Sequence, residues 1–157
     1  MQKRRLAKTF SAFIICVFLL LSTMTVFASP DTLPADVAST KEGLITICTP
    51  ENSTTSTTSD KIALSALASP GTVVTVYRYD SNTATYQKVW LDDAPLEASV
   101  GASWLFATQL NLQHGLNQFL IRGAWDDSTY SVARFDVSLL DLSFMDRIKG
   151  IISVFFN

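Results

Sequence analysis

The residues able to do chemistry are few, and their surroundings limit what they can do. His114 is the single histidine. It lies in Gln113-His114-Gly115, a turn with no serine or cysteine at a recognisable nucleophile spacing, so it reads as a solvent-facing turn residue rather than a general base. Asp92-Asp93 and Asp126-Asp127 are paired loop carboxylates, and oxygen-rich loops can hold Ca²⁺. Neither pair belongs to a spaced Asp-x-Asp-x-Asp array, so both read as turn acids. No catalytic residue, metal or cofactor is expected, and the protein is not expected to be an enzyme. The aromatic set is richer: Trp90, Trp104 and Trp125 accompany Tyr77, Tyr79, Tyr86 and Tyr130. Aromatic faces stack on the apolar C–H face of sugar rings while nearby polar groups bond the hydroxyls. Trp125, in phase with Phe119 and Ile121, is expected in the core; Trp90 and Tyr79, on neighbouring strands, are expected to be the exposed pair available to a glycan.

A second candidate surface closes the chain. Ser143 and Asp146 form a capping-box-like helix start. Phe144, Met145, Ile148, Ile151, Ile152 and Phe155 then follow at helical spacing on one stripe. Residues 143–157 are therefore expected to form an amphipathic helix, too short to span a bilayer. It would pack on its own domain, dock on an unknown protein or envelope component, or make peripheral membrane contact. No Leu-Pro-x-Thr-Gly sorting motif is present.

These residues need a scaffold, and the scaffold starts after an address. Residues 1–8 carry Lys3, Arg4, Arg5 and Lys8, residues 9–26 are almost unbroken apolar sequence, and Val26-Phe27-Ala28 offers a peptidase site. This is the three-part export signature, with cleavage expected after Ala28 and a secreted or cell-envelope product. An uncleaved anchor is the alternative, since the apolar run approaches a minimal span; Ser22, Thr23 and Thr25 dilute it. Removal of residues 1–28 takes 4 of 12 basic residues and none of the 14 acidic ones, leaving 8 basic against 14 acidic, a net charge of −6. That charge argues against nucleic acid as a partner. Cys48 is then the only cysteine, and within Leu44-Ile45-Thr46-Ile47-Cys48 it reads as a small buried hydrophobe.

Residues 29–43 hold Pro30 and Pro34 and no periodicity, and read as a flexible lead-in. From 44 to 142 short apolar alternations are separated by turns, the all-β pattern. Ile45 and Ile47 belong to a strand ended by Pro50. Ile62, Leu64 and Ala66 belong to the next, ended by Ser69-Pro70-Gly71. Further strands are expected over 72–79, 86–91, 104–112, 117–125 and 129–139. Ser53 to Ser59 reads as a solvated loop. About seven antiparallel strands without a helix among them imply a two-sheet sandwich.

The order of Ile45-Thr46-Ile47 before Pro50, Ile62-Ala63-Leu64-Ser65, Ala68-Ser69-Pro70-Gly71-Thr72 before Val74-Thr75-Val76, and Gly115 and Asn117 before Phe119 and Ile121 resembles the bacterial immunoglobulin-like domains of secreted and cell-surface proteins. Such domains include modules appended to extracellular polysaccharide enzymes. The resemblance implies an immunoglobulin-like β-sandwich and a non-catalytic module of the bacterial envelope or its exterior. The function expected first is protein or envelope interaction through the 144–155 stripe; the alternative is carbohydrate binding through Trp90 and Tyr79.

Overall fold

The computed structural model describes residues 28–141. The expected export signal (1–28) except Ala28, and the expected amphipathic helix (143–157) with Phe144, Ile148, Ile151, Ile152 and Phe155, lie outside the described residues.

The described residues form twelve strands: β1 (Thr32–Pro34), β2 (Ile45–Thr49), β3 (Thr54–Thr57), β4 (Lys61–Ala68), β5 (Val73–Asp80), β6 (Thr85–Lys88), β7 (Trp90–Leu91), β8 (Ala94–Pro95), β9 (Glu97–Ser99), β10 (Leu105–Asn111), β11 (Gly115–Ala124) and β12 (Tyr130–Leu139). The fold is all-β. The large sheet runs β1-β6-β5-β11-β12-β3, with β9 also paired to β5, and the small sheet runs β10-β4-β2. β-Branched and aromatic residues favour the extended chain. They dominate β5, and Gly71 at φ +85° turns the chain into it, with Thr72 N–H donating to Ser69 O. β7 and β8 form a two-residue hairpin whose turn residues, Asp92 and Asp93, have φ of 50° and 64°. Two positive φ values are what a type I′ turn demands, and Asp tolerates that region better than most residues.

The two sheets face each other across one apolar core. Ile45, Leu64, Ala66, Phe106 and Leu110 of the small sheet meet Val74, Val76, Phe119, Ile121, Phe135 and Val137 of the large one. The Phe119 and Phe135 rings stack at 5.2 Å. Gly123 marks a close approach of the sheets, because a Cβ there would lie 2.9 Å from Ile45 Cβ. Gly123→Ala is expected to lower stability by about 1–3 kcal/mol, the cost of overpacking, despite alanine's lower chain entropy. Urea denaturation of the two proteins measures this.

Four expectations need correction. Residues 29–43 are not a lead-in outside the domain: they supply β1 and lie across the outer face of the large sheet. Leu33 and Val37 bury there against Tyr77, Tyr86 and Leu120 in a second apolar cluster. Val132 N–H donates to Ser39 Oγ at 3.0 Å, and Arg134 donates to the Val37 carbonyl. The polar run after Ser53 contains β3, paired in parallel to β12, so the sheet is not wholly antiparallel. An edge strand needs only main-chain hydrogen bonds, which threonines supply without an apolar signal. Trp125 is 46% exposed instead of buried, since β11 ends at Ala124. Its indole donates to Thr72 Oγ1 at 3.1 Å, and Lys41 Nζ sits 3.8 Å from the ring. Cys48, expected inside, is half-buried at an irregularity of the β2–β4 ladder.

Covering the outer face buries polar groups that must then be paired. Arg122, 2% exposed, donates to Ser29 Oγ and to the Asp126 and Asp127 carbonyls, and stands 4.4 Å from the Tyr130 ring. Tyr77 donates to the Pro30 carbonyl at 2.8 Å. Burial pushes its pKa up from 10.0 to about 12, against the opposing effect of positive Arg122. The folded protein therefore keeps this proton at pH values where the unfolded chain has lost it. Stability should be insensitive to Tyr77 below pH 10 and should fall as pH rises from 10 toward 12. Urea midpoints at pH 9 and pH 11 test this, and Tyr77→Phe should lose less of its midpoint across that interval than the parent.

Candidate functional site

At one edge of the two sheets, β10 bounds the small sheet while the large sheet continues through β5 to β6 and β1. A cleft of about 690 Å³ opens here. Its walls come from the end of β5 with Arg78, Tyr79 and Asp80, from Trp90 and Leu91 of the hairpin, from Gln109 and Asn111 of β10, and from Gln113, Leu116 and Gln118 around the start of β11. Strand alternation explains the supply of polar groups: on β10, Leu110 is buried in the core while Gln109 and Asn111 on either side are exposed.

Trp90 is 57% exposed and Leu116 is 61% exposed, so two large apolar surfaces stand on the cleft. Tyr79 lines it too but is half-buried. It pairs with Tyr86 across β5 and β6, their rings edge to face at 5.3 Å, which holds Tyr79 against the outer cluster. Trp90 and Tyr79 thus line the same cleft, with Trp90 the far more accessible. The glutamines were not singled out from sequence; only the topology brings positions 109, 113 and 118 beside residues 78–91.

The charged groups near the cleft are engaged with the protein. Arg78 donates to the Asn111 carbonyl and lies 5.2 Å from the Phe119 ring centroid, and burial lowers its pKa from the ordinary arginine value. Asp80 accepts from Asn82 N–H at 2.9 Å and from the Thr83 hydroxyl at 3.1 Å, which fixes the β5–β6 turn. What the cleft offers a ligand is a flat indole, an aliphatic side chain and several amides. That combination suits a neutral polyhydroxylated molecule, since amides both donate to and accept from hydroxyls.

No family model and no curated protein matches the chain. The remaining sequence candidates fall elsewhere. His114 is exposed in the β10–β11 turn, and the turn itself is held by Asn117. Buried at 2% exposure, Asn117 accepts from Gln113 N–H at 2.8 Å and donates to the Gln113 and Gly115 carbonyls at 2.7 and 3.1 Å. Asn117→Ala removes these three part-buried hydrogen bonds and should cost about 1–3 kcal/mol in urea denaturation. Because Gln113 and Leu116 flank it, the same variant should loosen the cleft. Asp126 Oδ1 accepts from Ser128 N–H, the Ser128 hydroxyl and Thr129 N–H. These bonds, the Ser128 hydroxyl first, hold its carboxyl below the ordinary aspartate pKa. It is built as a turn, and no group of three His, Cys, Asp or Glu able to hold a metal occurs among the described residues. Trp104, 54% exposed, adjoins Leu105 and that residue's ladder partner Leu67, away from the cleft lining.

Proposed function

We propose that the protein is a non-catalytic carbohydrate-binding module, an immunoglobulin-like β-sandwich exported to the bacterial envelope or beyond it. The observation that supports this reading is the cleft in which the exposed face of Trp90 stands with Leu116 and with Gln109, Gln113 and Gln118. A sugar ring laid on the indole buries its C–H face, and its equatorial hydroxyls exchange hydrogen bonds with the amides. Interaction with an envelope protein through the 144–155 stripe was expected first from sequence; those residues lie outside the described ones, and the cleft favours the glycan.

Retention on insoluble cellulose, xylan, chitin and purified bacterial cell wall tests the proposal. Depletion of the protein from solution by at least one of these, reversed by the matching soluble oligosaccharide, is the expected result. An equal supernatant concentration with and without every polysaccharide, and no change in Trp fluorescence, would overturn it.

A further inference from the structure

Ser29 is 3% exposed, whereas Ala28 beside it is exposed. Side chains from four strands converge on this one residue. Its nitrogen donates to Glu97 Oε2 at 3.3 Å, and its carbonyl accepts from Lys88 Nζ at 2.6 Å. Its hydroxyl shares a 2.7 Å hydrogen bond with Thr75 Oγ1 and accepts from Arg122 Nη1 at 3.3 Å. Glu97 Oε2 also accepts from Thr75 at 3.0 Å and lies 3.5 Å from Lys88 Nζ, which is itself 3.2 Å from Asp31 Oδ1.

The acceptor that meets the Ser29 nitrogen is a carboxylate rather than a main-chain carbonyl, only 17% exposed and shared with Lys88 Nζ. A carboxylate accepts more strongly from an ammonium than from an amide, because both partners are then charged. A free amino group at Ser29 would make that stronger bond with no change of place, at the nitrogen already directed to Glu97.

We propose that the Ala28–Ser29 peptide bond is the processing site, and that Glu97 is the receptor for the α-ammonium it releases, with Thr75, Lys88 and Arg122 holding the rest of Ser29. The step is hydrolysis by a host signal peptidase. Water adds its hydroxyl to the Ala28 carbonyl carbon and a proton to the Ser29 nitrogen, which takes a second proton from solvent at neutral pH. The cluster then holds three cations, Lys88, Arg122 and the α-ammonium, against Asp31 and Glu97; the Asp126 and Asp127 carbonyls also accept from Arg122. Since Ser29 is buried once docked, cleavage precedes docking, and the new terminus locks 29–43 onto the outer face. The proposal rests on export of the chain and is independent of any glycan.

The full chain, produced in an exporting bacterial host, supplies the test. Mass spectrometry reads the first residue of the recovered product, and acylation of its α-amine is timed in the native and the urea-unfolded protein. The product should begin at Ser29, and the native α-amine should react at least about tenfold more slowly than the unfolded one, as for other groups protected by folding. In Glu97→Gln the product should again begin at Ser29, with that protection reduced. A product beginning at any other residue overturns the proposal, as does a native α-amine that reacts as fast as the unfolded one. Full protection in a folded Glu97→Gln protein overturns the role of Glu97. If that variant does not fold, the parent protein's first residue and labelling ratio decide the matter.

Discussion

Phe119→Ala is expected to destabilise the protein by about 3–5 kcal/mol, the range for truncating a fully buried phenylalanine. Phe119 is completely buried, stacks on Phe135 and sits in the core shared by the two sheets. It lies on β11, the strand hydrogen-bonded to both β5 and β12. A cavity there cannot be closed by moving an edge strand, because both neighbours are held on the same strand. The Arg78 guanidinium over the same ring would also lose its apolar support. Against the about 5–15 kcal/mol typical of a domain's total stability, this is a loss of between about a fifth and the whole. Thermal and urea denaturation followed by circular dichroism measure the loss; a change under about 1 kcal/mol would mean that the sheets do not share this core.

Trp90→Ala should leave the fold intact and remove most of the affinity for a glycan. The indole is 57% exposed on a two-residue strand, so its loss makes no cavity. A tryptophan at the centre of a binding surface commonly carries about 2 kcal/mol or more, which corresponds to roughly a 30-fold weaker complex. Trp104→Ala and Trp125→Ala remove indoles, 54% and 46% exposed, that do not line the cleft and should leave affinity within about twofold of the parent, as expected for substitutions remote from an interface. Isothermal titration with the oligosaccharide that competes for retention distinguishes the three. Tyr79→Phe should have a smaller effect than Trp90→Ala, because Tyr79 is half-buried against Tyr86.

The legibility of the fold tracks how each strand is buried. β4, β10 and β12 each have one core face, so Leu64 and Ala66, Phe106 and Leu110, and Phe135 and Val137 stand out by alternation. β11 does not alternate in burial. Leu120 and Arg122 are as buried as Phe119 and Ile121, because 29–43 covers the outer face. Nothing local announces that cover: Leu33 and Val37 are two large apolar residues among prolines, alanines and polar residues, and they bury against Tyr77, Tyr86 and Leu120, far along the sequence. β3 was invisible for another reason, since its pairing with β12 uses backbone groups and its side chains are threonine and serine.

The cleft was legible only in part. Trp90, beside a turn signalled by Asp92-Asp93-Ala94-Pro95, reads as accessible from its neighbours alone. Tyr79 reads the same way, yet its ladder partner is another tyrosine, and their edge-to-face contact draws it half inside. Gln109, Gln113 and Gln118 carry no pattern along the chain. They become a polar wall only because β10 is the edge of the small sheet and faces the end of β5 across the cleft.

The most direct measurement is a ¹⁵N-correlation NMR titration of the protein with a mixture of cello-, xylo- and chito-oligosaccharides. The indole N–H of Trp90 and the side-chain amides of Gln109, Gln113 and Gln118 should shift together along one saturable curve, while the indoles of Trp104 and Trp125 stay in place. A spectrum unchanged at millimolar oligosaccharide, or shifts confined to Trp104 or Trp125, would contradict a glycan site in this cleft.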